Sequence, residues 1–340
     1  MDGTAPAVGV DLLSTLRRDA ADEERGADIG RSVARTIRHI LADLDDPSDL
    51  AQALVSIAEA NLPVARIAEG HVNARLLLSL HAPELLAPDA VYGVWGADGA
   101  APTRCDGDTL TGGKRYASGL GVVTEALVTV GMGEDVRLAL VDVRDAARHR
   151  PGTWDMLGMR ATVSGDVDLG GLSPRWVGEP NVYFEEPTFL GGVWRIAALQ
   201  LGGTLGLLGA ARDVLSERGH LAAEAQVARL APLLARAMAA FGLVERAARV
   251  AAGPQGRADP DRAVALSIQS RLLTEDLAQD AVGAVERSVG LGHFAAGSET
   301  GRIARDLATY CRQAARDAFE QKAGRIVLAR PGPLSEFWRG

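Results

Sequence analysis

The chain has 340 residues, a formal net charge of −8, 47% apolar residues and only 4% aromatic ones. Such a core must be built from Ala, Leu and Val, which tilts the chain toward helix, and the length suffices for two or three packed units. The acidic balance argues against nucleic acid as a partner. Cys105 and Cys311 stand far apart without CxxC or Cys/His spacing, which argues against a disulfide framework and a metal site.

The N-terminus, MDGTAPAVGVDLL, lacks the basic start and apolar run of a signal peptide. No apolar stretch reaches the roughly 18 residues that span a bilayer, so a soluble, cytoplasmic protein without a membrane partner is expected. Residues 1–88 form a helical N-terminal domain. Ile37, Ile40, Leu41 and Leu44 fall at helical spacing, Pro47-Ser48-Asp49 opens a second helix bearing Leu50, Leu54 and Ile57, and Asn61-Leu62-Pro63 interrupts before a third.

Residues 89–190 change texture. DAVYGVWG, DTLTGGKRYASG, ALVTVGM, VRLALVDV and SGDVDLGG each fit a short strand bounded by turn formers. With no helix between them, an antiparallel sheet closed as a small barrel is expected. Residues 191–330 return to long helices, over 190–218, 223–250, 260–288 and 300–327, joined by Gly/Pro breaks, the pattern of an antiparallel four-helix bundle. Residues 331–340 are an irregular tail that Phe337 and Trp338 can dock. The fold class is therefore α+β, mostly α.

LGGTLGLLGAARD does not make the GxGxxG of a dinucleotide fold, and no strand precedes it. Gly202, Gly203, Gly206 and Gly209 at spacings of three and four instead let a second helix approach closely. His71, His220 and His293 have no second ligand one turn on, and His71, after Glu69-Gly70, is the most interesting of the three. Glu185 and Glu186 read as a solvated loop. GMRATVSGDV, residues 158–167, combines glycines with Thr162 and Ser164, which a strand would place on one face.

The order helix–strand–helix, with GGKRYASG at 112–119, GMRATVSGDVDLGGL at 158–172, VWRIAALQLGGTLGLLGAARDVL and SETGRIARDLATYC, resembles the acyl-CoA dehydrogenase superfamily of flavoproteins over about residues 35–328. RIAEGHVNARLL at 66–77 is similar to the branch near flavin monooxygenases such as the dibenzothiophene enzyme. The resemblance implies a bound flavin, FAD or alternatively FMN. It implies cofactor contacts from Trp95, Tyr116, Ser118, Arg160, Thr162 and Ser164, with Tyr116 where the family has Trp, and a homodimer or tetramer. A flavin needs a dry face and hydrogen-bond partners along its pyrimidine edge; Tyr116 offers a flat wall and Ser118 a hydroxyl.

The resemblance implies a flavin-dependent oxidoreductase acting on an acyl thioester or related small molecule. That chemistry needs a carboxylate base within reach of the α-proton. The family's two places for it hold Ala314, eight residues after the Arg305-Asp306 pair, and Trp194–Ala197, so no catalytic residue is assigned. GADGAAPTRCDGD is shorter than the family's flavin loop, and Arg218-Gly219-His220-Leu221 replaces the Arg-x-x-Phe-Gly that reaches a neighbour's pyrophosphate. Two alternatives stand beside the dehydrogenase: a flavin monooxygenase, which needs no such base, and a non-catalytic or half-site subunit paired with a homologous chain.

Overall fold

A computed structural model of the chain describes residues 9–42, 44, 46–133, 135–312 and 315–338. In chain order the helices are α1 (Val10–Glu24), α2 (Gly30–His39), α3 (Pro47–Ala60) and α4 (Leu62–His81), then α5 (Trp194–Glu217), α6 (Glu224–Ala252), α7 (Pro254–Ala258), α8 (Pro260–Val289), α9 (Glu299–Cys311) and α10 (Arg316–Leu328). Between α4 and α5 lie β1 (Tyr92–Trp95), β2 (Arg104–Asp106), β3 (Thr109–Thr111), β4 (Gly113–Ala117), β5 (Glu125–Val130), β6 (Arg137–Asp142), β7 (His149–Arg150), β8 (Gly165–Asp168) and β9 (Arg175–Val177). The chain divides into two units: Met1–Ala21, Asp43–Leu62 and Glu186–Gly340 form one, and Asp22–Ala42 and Pro63–Glu185 the other.

The first unit is a helical bundle. α5 packs against α3, α6, α8 and α9, and α8 against α6, α9 and α10. Local chemistry sets its helix starts. Asp46 accepts the Ser48 and Asp49 amides ahead of α3, Ser298 caps the Gly301 amide of α9, and Asp259 caps Arg262 of α8 while pairing with Arg330 through both carboxylate oxygens, at 2.7 and 2.6 Å. Pro47 and Pro260, at the first positions of α3 and α8, need no amide partner there. The predicted 300–327 helix is two helices, broken before Arg316. The tail docks through Phe337, whose carbonyl accepts from Arg262 Nε at 3.0 Å.

Two of the four glycines of α5, Gly202 and Gly206, give the close helix approach that their spacing predicts. A Cβ on Gly202 would lie 2.3 Å from the Val55 carbonyl oxygen, and one on Gly206 would lie 2.5 Å from that of Glu59, so the backbones of α5 and α3 touch there. Gly203 serves α9 instead, facing Leu307 and Leu62, whereas Gly209 has open space.

By length and composition, Leu190–Glu217 and Glu224–Ala252 are long and apolar enough to cross a membrane, which corrects the reading that no stretch is. The first is a core helix, 78% of its apolar window being buried; for the second the figure is 22%. Val227, Leu234 and Met238 give α6 an exposed apolar face.

The second unit holds the strands. β1, β5, β6 and β9 form one sheet in that order, with β1 parallel to β5 and the other pairs antiparallel. Tyr92, Leu127, Leu138, Leu140 and Val177 of this sheet make one core cluster with Ala74, Leu77 and Leu78 of α4. β2 and β3 form a separate hairpin, and β4, β8 and β7 a three-stranded sheet.

The expected closed antiparallel barrel is therefore corrected to three sheets that do not close among the described residues. Barrel closure needs a continuous ladder with consistent stagger. Here the chain between β1 and β5 leaves the sheet to build the hairpin and β4, the β4–β8 ladder shifts register between Lys114 and Ala117, and β9 is a three-residue edge between Pro174 and Gly178.

Candidate functional site

β4 is held by one buried cation. Lys114 is 1% exposed, and its Nζ donates to Asp98 Oδ1 at 2.5 Å and to Thr129 Oγ1 at 2.9 Å; Thr129 in turn donates to the Gly96 carbonyl at 3.0 Å. Burial pulls the ammonium below the ordinary lysine range, and the hydrogen bond and charge of Asp98 oppose that pull. Lys114→Met keeps the stem but removes the donor from Thr129 Oγ1 and leaves Asp98 without its cation. A loss of about 2 kcal/mol in urea unfolding is expected, below the full cost of a broken buried pair because the Asp98 side chain is partly exposed.

Two residues beyond this anchor the strand bulges, and Tyr116 sits at φ +57°. A bulge re-aims a side chain, and Tyr116 is turned outward, 44% exposed, with the Arg115 guanidinium 4.3 Å from its ring centroid and Trp154 meeting it edge-on at 6.0 Å. Met159 and Val163 also adopt the left-handed region, at φ +56° and +45°. Three non-glycine residues in that region, on two neighbouring segments, are the kind of stored strain that gathers at ligand sites.

The strand expected through Thr162 and Ser164 is a 3₁₀ turn over Arg160–Thr162 followed by β8 from Gly165. The turn still brings the two hydroxyls together. Thr162 Oγ1 donates to the Met159 carbonyl at 2.6 Å and lies 2.7 Å from Ser164 Oγ, which lies 3.0 Å from Ser118 Oγ. The Gly119 and Leu120 amides fasten this segment through the Thr162 and Val163 carbonyls, and Trp95 Nε1 donates to the Ser118 carbonyl at 3.2 Å.

Three hydroxyls carry three protons, so the chain has two polarities. If Thr162 donates to Met159, Ser164 can donate to Thr162 and Ser118 to Ser164, leaving no proton outward. If Ser164 donates to Ser118 and Thr162 to Ser164, the Ser118 proton is released to a ligand. Thr162 and Ser164 are buried and Ser118 half-buried, so the chain ends toward the surface. Of the residues read as cofactor contacts, Trp95, Ser118, Thr162 and Ser164 belong to one hydrogen-bonded group. Tyr116 stands two residues from Ser118, and Arg160 is exposed on the adjoining turn.

His71 is buried under β1. Its Nδ1 accepts the Tyr92 amide at 3.1 Å, and its ring stacks on Tyr92 at 5.6 Å. The accepting Nδ1 fixes the proton on Nε2. Burial first, then the charge of Arg75, lowers its pKa from 6.5 to about 4, so the imidazole is neutral at physiological pH.

In the bundle, the stretch Trp194–Ala197 carries no carboxylate, and Ala314, the other family position, lies outside the described residues. Asp306 is buried with Arg302 at 3.6 Å. Arg218 donates to the Val289 carbonyl at 2.8 Å. Glu186, read from sequence as a solvated loop, accepts the Leu190 and Gly191 amides at 3.1 and 3.0 Å, and burial raises its pKa. Its oxygens organise the turn before α5, a role that one isolated carboxylate in a sequence does not announce. Both cysteines are free thiols, and no group of three or more His, Cys, Asp or Glu side chains among the described residues could hold a metal ion.

No protein-family model matches the sequence, and no curated protein matches it. Solved structures do share the fold. FMN-bound TdsC from Paenibacillus sp. A11-2 is 18% identical, with 96% of this chain and 98% of that one covered at a TM-score of 0.75; another structure of TdsC describes it as a dibenzothiophene monooxygenase. Nitrososynthase from Micromonospora carbonacea var. africana is 21% identical, covering 93% and 94%, at 0.74. The 3-HSA hydroxylase from Rhodococcus sp. RHA1 is 16% identical, covering 95% and 96%, at 0.72. At these identities the likeness is one of fold.

Proposed function

We propose that this chain is a flavin-dependent oxidoreductase and, within that class, a monooxygenase that takes FMN. The observation that carries the reading is the hydroxyl chain ending at Ser118 beside the outward-turned Tyr116 and two strained turn residues. These groups suit a flat heteroaromatic ring: an aromatic wall, a hydroxyl able to donate or accept, and backbone held in an unusual conformation to reach it. Structures sharing the fold include FMN-bound ones. A bound flavin would supply the electron transfer to oxygen.

The chain's own residues do the rest. Ser118 Oγ points its proton outward or inward as Ser164 and Thr162 reverse their hydrogen bonds, and in the inward polarity the Met159 carbonyl accepts the hydrogen bond from Thr162 Oγ1. Trp95 holds the Ser118 backbone still. FMN is preferred to FAD because Arg218, which replaces the arginine of the pyrophosphate-reaching motif, is engaged by Val289. Monooxygenation is preferred to acyl-thioester dehydrogenation because the Trp194–Ala197 position and Ala314 both lack a carboxylate.

FMN titration followed by flavin fluorescence tests this. Saturable 1:1 uptake is expected, weakened about tenfold in Ser118→Ala through loss of one hydrogen bond to the ring, or about 1.4 kcal/mol. A chain that takes up neither FMN nor FAD overturns the reading.

The exposed apolar face of α6 favours assembly through that helix, as a homodimer or tetramer. The same face serves the alternative reading, a subunit partnered by a homologous chain. Light scattering of the purified chain separates the two: the alternative requires a monomer that associates only when the second chain is present. A cytoplasmic location belongs to the same proposal.

A further inference from the structure

Among the described residues the sheets of the second unit do not close, and a cleft of about 630 Å³ lies between the β2–β3 hairpin, the β5–β6 turn and the start of β9. Pairing places Val130 opposite Arg137 and Ala139 opposite Trp176, so Arg137 and Trp176 share the sheet face that opens here. The hairpin contributes Arg104 and Asp108, and the turn Asp135. The volume lies within the range of small-molecule sites, roughly 300–1,000 Å³, and is several times what a lone inorganic anion fills.

Several arginines of the unit lie on oxygen, among them Arg144 on Asp142, Arg148 on the Gly170 carbonyl, Arg150 on the Ala147 carbonyl and Arg175 on Glu125, whereas Arg115 stacks on Tyr116. Among the described residues, Arg104 and Arg137 find no such acceptor. Arg104 reaches only Met132 Sδ at 3.9 Å, and the Arg137 guanidinium carbon lies over Trp176, 3.8 Å from the ring centroid. Stacking occupies the face of a guanidinium and leaves its N–H edge unused. Among the described residues, no ion pair joins Asp108 or Asp135 to either arginine.

We propose that this cleft binds a mononucleotide-sized ligand: a phosphorylated molecule with a planar, amine-bearing ring. The phosphate would take the N–H edges of Arg104 and Arg137, which suit bidentate recognition. The ring would lie against the Arg137–Trp176 stack, and its amino group would donate to Asp108 or Asp135. The site is distinct in residues from the hydroxyl chain and does not depend on flavin chemistry.

Calorimetric titration of the full chain with adenosine 5′-monophosphate, at low salt and with no FMN added, tests this, the arginine variants separating this cleft from a flavin site. Adenosine lacks the anion and ribose 5-phosphate lacks the ring; each is expected to bind at least about tenfold more weakly than the nucleotide. Arg104→Ala and Arg137→Ala are each expected to weaken nucleotide binding about tenfold or more. Circular dichroism and the melting temperature of each variant separate lost binding from lost fold, and Arg104 is exposed, so its variant is expected to fold. Three results overturn the proposal: no nucleotide binding up to about 5 mM, binding indifferent to Arg104→Ala in a folded variant, or ribose 5-phosphate binding as tightly as the nucleotide.

Discussion

Gly202→Ala is expected to lower the unfolding free energy by about 3 kcal/mol, the upper end of the overpacking range, and Gly202→Ala with Gly206→Ala to leave little folded protein at 37 °C. A methyl group on Gly202 would lie 2.3 Å from the Val55 carbonyl oxygen and 2.6 Å from Ala58 Cβ, and one on Gly206 would lie 2.5 Å from the Glu59 carbonyl oxygen. Backbone atoms cannot swing aside as a side chain does, so α3 and α5 must separate, loosening the contacts both make in a closely packed interior. The helix itself would gain, since Ala is the better helix former by about 1 kcal/mol. A net loss therefore isolates the packing effect. Gly209→Ala is the internal control: it lies in the same helix with nothing within 4 Å, and is expected to stabilise slightly. Chemical denaturation of the single variants Gly202→Ala, Gly206→Ala and Gly209→Ala measures this. Equal effects at all three positions would show that close approach is not what these glycines provide.

For Gly202 and Gly206 the close approach is legible in the sequence, because helical spacing converts directly into a face, whereas the open space at Gly209 is not. The same holds for α3, where Pro47 and the capping Asp46 mark the start, and for three of the four long helices of the bundle, whose boundaries fall within a few residues of the expected ones. The strands were legible as segments but not as a sheet. Nothing local in YGVW tells it to pair in parallel with a strand some thirty residues later, and a three-residue edge such as β9 carries too few positions to show alternation. α2 ends at His39 although Ile40, Leu41 and Leu44 continue its spacing.

At the site, residue types are enough to single out Ser118, Thr162 and Ser164, with a strand face the expected reason for Thr162 and Ser164 to meet. A 3₁₀ turn flanked by left-handed Met159 and Val163 brings them together. Neither Met nor Val signals a positive φ, which is set by tertiary contacts that no window of sequence contains. The cleft beside Arg137 was invisible for a related reason: it lies among sheets that do not close among the described residues, and the residue pattern by itself suggested closure.

The second large effect is in the pH dependence of stability. Between pH 6.5 and about 4 the unfolded chain binds a proton at His71 that the folded chain refuses, since the pKa falls from 6.5 to about 4 on folding. Stability therefore rises with pH across this window: the contribution is fully present above pH 6.5 and is lost as the pH falls toward 4, a change of up to about 3 kcal/mol. The cause is steric as well as electrostatic. A protonated ring carries a hydrogen on Nδ1, where the Tyr92 amide already donates, so charging His71 breaks the bond that ties α4 to β1. Carboxylates also begin to titrate near pH 4, so the informative quantity is the difference between the wild type and His71→Gln, whose amide oxygen can accept the Tyr92 N–H without gaining charge. The wild type is expected to be the more stable at pH 7, and its advantage to shrink by about 3 kcal/mol by pH 4. Urea unfolding at several pH values measures both curves. A gap that stays constant across the window would mean that His71 is protonated freely in the folded state, and that the Tyr92 amide is held by something else.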